Sequence, residues 1–222
     1  MEAAMTSSPN NTPSNVLVLG ATGGTGRLIV REALARGHKV TALVRSPEKA
    51  GDLGGAHLVT GDARDANVLR SALKGQDAVL SALGTPASPF REVTLLSSAT
   101  WALVEAMKAE QVSRLVAITG IGAGESAGHG GFLFDRVIRP LLLRHVYADK
   151  NRQEDIVRAS GLDWVLVRPA VLNDKPGRGD VRALEDLSRF HGGTISREDA
   201  ARFVVDQVGT DQWLGKSPLI AW

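Results

Sequence analysis

Three glycines, Gly20, Gly23 and Gly26, interrupt the run VLVLGATGGTGRLIV at residues 16–30. They stand between an apolar stretch suited to a strand and a stretch of helix-forming residues. A strand that feeds a helix through such a turn creates an anion site. The first turn of the helix carries unpaired backbone N–H groups and a partial positive charge. Glycine permits the tight turn and lets the main chain approach a diphosphate without a Cβ in the way. The spacing is G-x-x-G-x-x-G rather than G-x-G-x-x-G, so its place after the first strand is what makes it informative. Thr22 and Thr25 add hydroxyl donors, and Gly24 lies in the same turn. Residues 20–26 are therefore read as the diphosphate cradle of a dinucleotide, the alternative being a turn that serves packing alone.

The second strand indicates which dinucleotide. A site for NAD places Asp or Glu roughly twenty residues past the glycines, where it accepts from the ribose 2′-hydroxyl. Here VTALVRSPEKA (40–50) ends its apolar run on Arg45 and Ser46, with no acid at that point. A guanidinium pairs bidentately with a phosphate, so NADP(H) is the expected cofactor. Otherwise Arg45 is a solvated charge at a strand end. Asp62 and Ala63 follow the third strand and are read against the adenine, with helix capping the competing role for Asp62. Ala82, Leu83 and Gly84 follow the fourth and suit a surface on which adenosine or ribose lies flat.

These residues are useful only if strand ends converge. Short β-branched runs at 16–20, 39–45, 56–62, 77–84, 114–120 and 163–169 alternate with amphipathic runs at 25–36, 66–73, 91–110, about 132–158 and 197–208. Strands apolar throughout are covered on both faces, and intervening helices imply right-handed crossovers. The expected fold is α/β: one doubly wound parallel sheet, a Rossmann fold, with helices on both faces, over residues 15–222. The polar start, residues 1–14, is expected to be a disordered leader. The segment 120–147, opened by the glycine-dense GIGAGESAGHGG, is expected to cover a substrate at the carboxyl edge of the sheet.

The 222 residues include 43% hydrophobic and 23% charged residues with a formal net charge of +2. No basic stripe argues for nucleic acid and no run is long enough for a membrane span. Cysteine is absent and the five histidines (38, 57, 129, 145, 191) have no ligand spacing, so no metal is expected. His129 and His145 lie nearest the expected site, with surface placement as the default. The expected setting is cytoplasmic, the partner a small-molecule substrate rather than nucleic acid or membrane, and the state a monomer or homodimer.

LGATGGTG, VRSPEK, GDARD, DAVLSALG, SGLDWVLVRPAVL and ISREDAA, in that order, resemble the atypical short-chain dehydrogenase/reductases of the NAD(P)H-binding, NmrA-like group, and among them the NADPH-dependent flavin reductase pattern. The resemblance covers nearly all of 15–222. It implies that Arg168 and Pro169 help to form the nicotinamide side and that residues 195–200 begin a late structural helix, with Ser196 as N-cap and Asp199 closing a capping box. The wider superfamily uses Ser, Tyr and a Lys four residues after the Tyr; the Tyr donates a proton while the ammonium lowers its pKa and holds the ribose.

The present chain departs from that set. Its single tyrosine, Tyr147, precedes Lys150 by three residues, an offset of about 100° around a helix. Lys150-x-x-x-Glu154 matches the atypical group, making Lys150 the expected ribose contact, against a plain i,i+4 ion pair. Thr119 stands where a catalytic hydroxyl is expected, but the serine of the flavin reductase pattern reads Gly120, and its histidine aligns with Glu154. Phe132, Phe134, Val137, Ile138, Leu141 and Leu142 either wall an apolar pocket or pack on the sheet or a partner subunit, core packing being the default. The expected activity is NADPH-dependent hydride transfer to a flavin, quinone or enone. A non-catalytic NADP(H) sensor and an epimerase or isomerase using bound NAD(P) are the alternatives.

Overall fold

The structure, a computed structural model, describes residues 12–222. β1 (Asn15–Leu19) shows why the first strand reads as continuously apolar: Val16 to Leu19 are all fully buried. Side chains alternate across a strand. Val16 and Val18 enter a core shared with Ile29 and Ala33 of α1 (Gly24–Ala35) and Phe203 and Val204 of α7 (Arg197–Asp206). Leu17 and Leu19 enter a second core with residues of α3 (Ala66–Leu73), α4 (Leu95–Ala109) and α6 (Arg144–Arg158), among them Leu69, Leu103, Met107 and Val157.

The main sheet has eight strands. From one edge they run β3 (His57–Thr60), β2 (Lys39–Val44), β1, β4 (Ala78–Ser81), β5 (Arg114–Ile118), β6 (Asp163–Pro169), β10 (Leu219–Ala221) and β8 (Arg182–Leu184). All pair in parallel except β8, which runs antiparallel to β10. Because β1 pairs with both β2 and β4, the winding reverses there. The crevice for a ligand lies outside the carboxyl ends at that switch point. β7 (Val171–Asn173) and β9 (Thr194–Ser196) form a separate parallel pair.

The doubly wound sheet matches the expectation, with local differences. Ser14 donates its N–H to His38 Nδ1 at 3.1 Å and its carbonyl accepts from Lys39, so it belongs to the domain rather than to a leader; residues 1–11 of the expected leader lie outside the described residues. β4 ends at Ser81 and α4 starts at Leu95, leaving 82–94 irregular. The expected helix over 132–158 is divided. Pro140 has no N–H to return to the preceding turn. A π-helical turn, Phe134–Ile138, precedes α5 (Arg139–Leu142), and the chain breaks at Leu143 before α6 resumes. No described helix is long and apolar enough to cross a membrane.

Asp149 of α6 ties the site's helix to α4. Fully buried, it accepts from Leu96 N at 2.8 Å, Ser97 N at 3.3 Å and Ser97 Oγ at 2.5 Å, capping α4 from a neighbouring element. Asp149→Ala leaves these donors without their acceptor and should lower the unfolding free energy by about 3 kcal/mol in urea titrations. A loss below about 0.5 kcal/mol would show that the cap does not hold the two helices together.

Candidate functional site

The glycines of the 20–26 turn divide into two kinds. Gly20 has φ +73°, and a Cβ there would collide with the Ala82 carbonyl; a Cβ on Gly26 would collide with the Gly20 carbonyl. These two let the turn and α1 press against β4 and against each other. Gly23 closes the turn by donating to Gly20 O at 3.0 Å, and Gly23 and Gly24 are exposed. Thr22 is exposed and Thr25 half-buried beside them.

The N-terminus of α1 is bare. Gly23 is its N-cap, no side chain accepts from its first N–H groups, and its first turn holds no acid. By contrast, Asp65 caps α3, Ser196 caps α7 and Asp149 caps α4. An electropositive helix end with open donors at the switch point fits a diphosphate. Ala82 and Leu83 are half-buried and Gly84 exposed just past the adjoining end of β4, and Gly20 brings the cradle against the backbone of Ala82 and Leu83.

Arg45 is exposed at the end of β2, with no ion pair among the described residues. Asp62 sits near it. Its carboxylate receives Arg64 Nε at 3.0 Å, Arg64 Nη2 at 2.7 Å and Arg64 N at 2.9 Å. Those bonds, aided by the charges of Arg64 and Arg45, hold the Asp62 carboxyl at a pKa of about 2. Asp62 does not cap the next helix; Asp65 does, three residues later. Ala63 is half-buried against the α3/α4 core. The structure thus adds Arg64 to the cationic edge.

Three strand spacings away, about 14 Å, the ends of β5 and β6 border an apolar cavity of about 610 Å³. Thr119, Gly120, Ile121, Tyr147 and Pro169 line it together with Phe132, Phe134 and Ile138. Val137, Leu141 and Leu142 neither line this cavity nor pack in the core, being 40%, 64% and 50% exposed. His129 and His145 also lie off the cavity. His129 Nδ1 is 3.0 Å from the Phe190 carbonyl, and His145 Nε2 accepts from Arg144.

The three chemical candidates converge here, the two hydroxyls with their single protons engaged. Thr119 Oγ1 donates to Glu154 Oε1 at 2.7 Å. Lys150 Nζ donates to the Thr119 carbonyl at 2.5 Å, so Lys150 does not form the ion pair with Glu154 that i,i+4 spacing allows. Burial lowers its pKa to about 8, against the raising charges of Glu154 and Asp149. Tyr147 donates to the Ile121 carbonyl at 2.8 Å, and burial raises its pKa to about 12. The superfamily arrangement, a tyrosine acidified by lysine, is therefore not assembled. Gly120 explains the missing serine: at φ +149° the backbone favours glycine.

Arg168 is a correction. Neighbouring residues of a strand face opposite ways, and only Pro169 lines the cavity. The Arg168 guanidinium instead binds Glu154 through Nε at 3.0 Å and Nη2 at 2.5 Å, and Glu125 at 2.5 Å. Glu154 also receives Arg158 at 3.1 Å. A Cβ on Gly124 would overlap this cluster, so the glycine-dense loop is pinned at that point. The structure further reveals Arg197 beside the cradle: a Cβ on Gly24 would lie 3.2 Å from its Cδ and Nε. The ISREDAA stretch carries only a capping signal in sequence. Ser196 Oγ does accept from Asp199 N at 2.9 Å, while the Asp199 carboxylate turns to Trp222, Arg178 and Gly179 instead of closing the box.

A family model described as NAD(P)H-binding matches residues 20–211. "Uncharacterized sugar epimerase YhfK" of Bacillus subtilis is 31% identical over 196 residues, 86% of each chain. A Rossmann-fold NAD(P)-binding family protein from Shigella flexneri superposes with a TM-score of 0.71 at 25% identity, covering 94% of this chain and 93% of that one. ChuY, an anaerobillin reductase from Escherichia coli, superposes with a TM-score of 0.79 at 22% identity, covering 95% and 97%; that likeness is one of fold.

With a pKa near 8, Lys150 is an ammonium below that pH and a neutral amine above it. NMR of isotopically labelled lysine side chains should show one resonance titrating close to pH 8 and missing from Lys150→Met. If all lysines titrate near the ordinary value, about 10.4, the ammonium is not desolvated as described.

Proposed function

The chain belongs to the NAD(P)H-binding family, and on that footing we propose that it is an NADPH-dependent reductase delivering hydride to a small conjugated acceptor such as a flavin, quinone or enone. When bound, the cofactor would supply the hydride; the residues of this chain bind and orient it. Gly23, Gly24 and the bare end of α1 take the diphosphate. Arg45 and Arg64 are the cations at the 2′ position, and their charge and the absence of an acid at the end of β2 favour the phosphorylated cofactor. Lys150, held by the Thr119 carbonyl, is the donor placed for the nicotinamide ribose.

One observation carries the choice of acceptor. The cavity is apolar, and the two hydroxyls that line it have their hydrogens directed elsewhere, Thr119 to Glu154 and Tyr147 to the Ile121 carbonyl, while Lys150, which commits one of its three hydrogens to the Thr119 carbonyl, does not line it. Carbonyl reduction or sugar epimerisation calls for a positioned acid or base. A flavin or quinone takes hydride into a conjugated ring, and water supplies the proton. The apolar lining of Phe132, Phe134 and Ile138 also suits a flat aromatic ring better than a polyhydroxylated sugar.

NADPH consumption measured with FMN, menadione and dichlorophenolindophenol should show turnover with at least one of them. Arg45→Ala should raise KM for NADPH roughly ten- to a hundredfold, the worth of a charge-assisted phosphate contact, and leave KM for NADH nearly unchanged. Tight NADPH binding with no turnover on any acceptor would instead mark a nucleotide sensor. Tyr147→Phe should retain most of the activity, because its proton is not used; a loss beyond a hundredfold would overturn that assignment.

A further inference from the structure

We propose that Arg197 is a clasp for the diphosphate of the cofactor, and that Asp174 is the counter-ion the diphosphate displaces; the inference rests on the cofactor reading above. Arg197 opens α7, far from the glycine turn in sequence. Its Cδ and Nε lie 3.2 Å from where a Cβ on Gly24 would stand, so its stem lies along the exposed backbone that begins α1. A Cβ at Gly24 would require this side chain to shift slightly.

The charge arrangement argues against a purely structural arginine. A cation in the first turn of a helix opposes the helix dipole. The other charged residues of that turn in α7, Glu198 and Asp199, are acidic, as the dipole favours. Arg197 is the exception, and it is the residue beside the cradle. The nearby Arg27 donates its Nε to the Thr22 carbonyl at 3.2 Å.

Its present partner is weakly held. Arg197 Nη1 binds Asp174 Oδ1 at 2.6 Å, with the arginine side chain 29% and the aspartate 88% exposed. An ion pair so open to water contributes little. A diphosphate brings more negative charge and also meets the α1 N–H groups, so it competes for the guanidinium on favourable terms. Asp174 follows directly on β7, whose Val171 and Leu172 line the apolar cavity, so the residue that yields Arg197 is attached to the acceptor's wall.

The test is calorimetric titration of the full chain and of its Arg197→Ala, Arg197→Lys and Asp174→Asn variants with NADP+, NAD+ and adenosine 2′-monophosphate, which has the 2′-phosphate but no diphosphate. Arg197→Ala should weaken both dinucleotides about ten- to a hundredfold, flatten the salt dependence of their binding, and leave adenosine 2′-monophosphate unaffected. Arg197→Lys should recover part of the loss, and Asp174→Asn should bind the dinucleotides as tightly as the wild type or a few-fold tighter. The clasp is overturned if Arg197→Ala binds dinucleotides like the wild type, or if it weakens adenosine 2′-monophosphate equally. An Asp174→Asn variant as weak as Arg197→Ala would overturn the counter-ion role. Wild-type protein that binds neither dinucleotide would sink the cofactor reading itself, an outcome distinct from these.

Discussion

The first turn of a helix holds backbone donors that the helix itself cannot satisfy. Here α3, α4 and α7 each receive a carboxylate or hydroxyl acceptor, whereas α1 and α6 receive none, and of those two it is α1 that follows the glycine turn after β1. The close-packed Gly20 and Gly26 hold the turn against β4, so the bare donors stand at the switch point of the sheet. The cationic edge of Arg45 and Arg64 lies to one side and the apolar cavity to the other. On the proposed reading, an extended dinucleotide running along the carboxyl edge would meet cations, amides and Lys150 in that order.

The far end of the site is built on a buried charge. Glu154 is fully enclosed and is balanced by Arg168 and Arg158, with the Thr119 hydroxyl as a further donor. A buried carboxylate stripped of its partners is severely destabilising, so this cluster constrains what surrounds it. It draws Arg168 away from the cavity and uses the Thr119 hydrogen. Through Glu125 it also anchors the loop that leads to the cavity wall. The chemistry left to the cavity is that of an apolar lining beside one ammonium. The proposed acceptor, whose own conjugated system would carry the reaction, is chosen on that ground.

Much of this was legible from residue order. β1 to β6 announce themselves because a sheet covered on both faces needs uninterrupted apolar runs, and the glycine turn announces itself because close packing leaves no room for Cβ. The three-residue strands β7 to β10 are too short for any periodicity to register. Which of Arg168 and Pro169 faces the cavity depends on strand phase, which a run buried on both faces does not reveal. Arg197 is invisible for another reason: its partner surface is at Gly24, and only the packing of α7 on α1 brings them together. The tyrosine–lysine pair was legible as residues but not as chemistry, because neither hydrogen-bond partner is a side chain; both are carbonyls of residues 119 and 121.

The central claim is that a ligand's diphosphate fills the bare end of α1. Amide chemical shifts followed by two-dimensional NMR during titration with NADP+ test it directly. The account predicts that the largest changes fall on the N–H groups of Gly23, Gly24, Thr25 and Gly26. Saturable binding that leaves those four amides unmoved would contradict it.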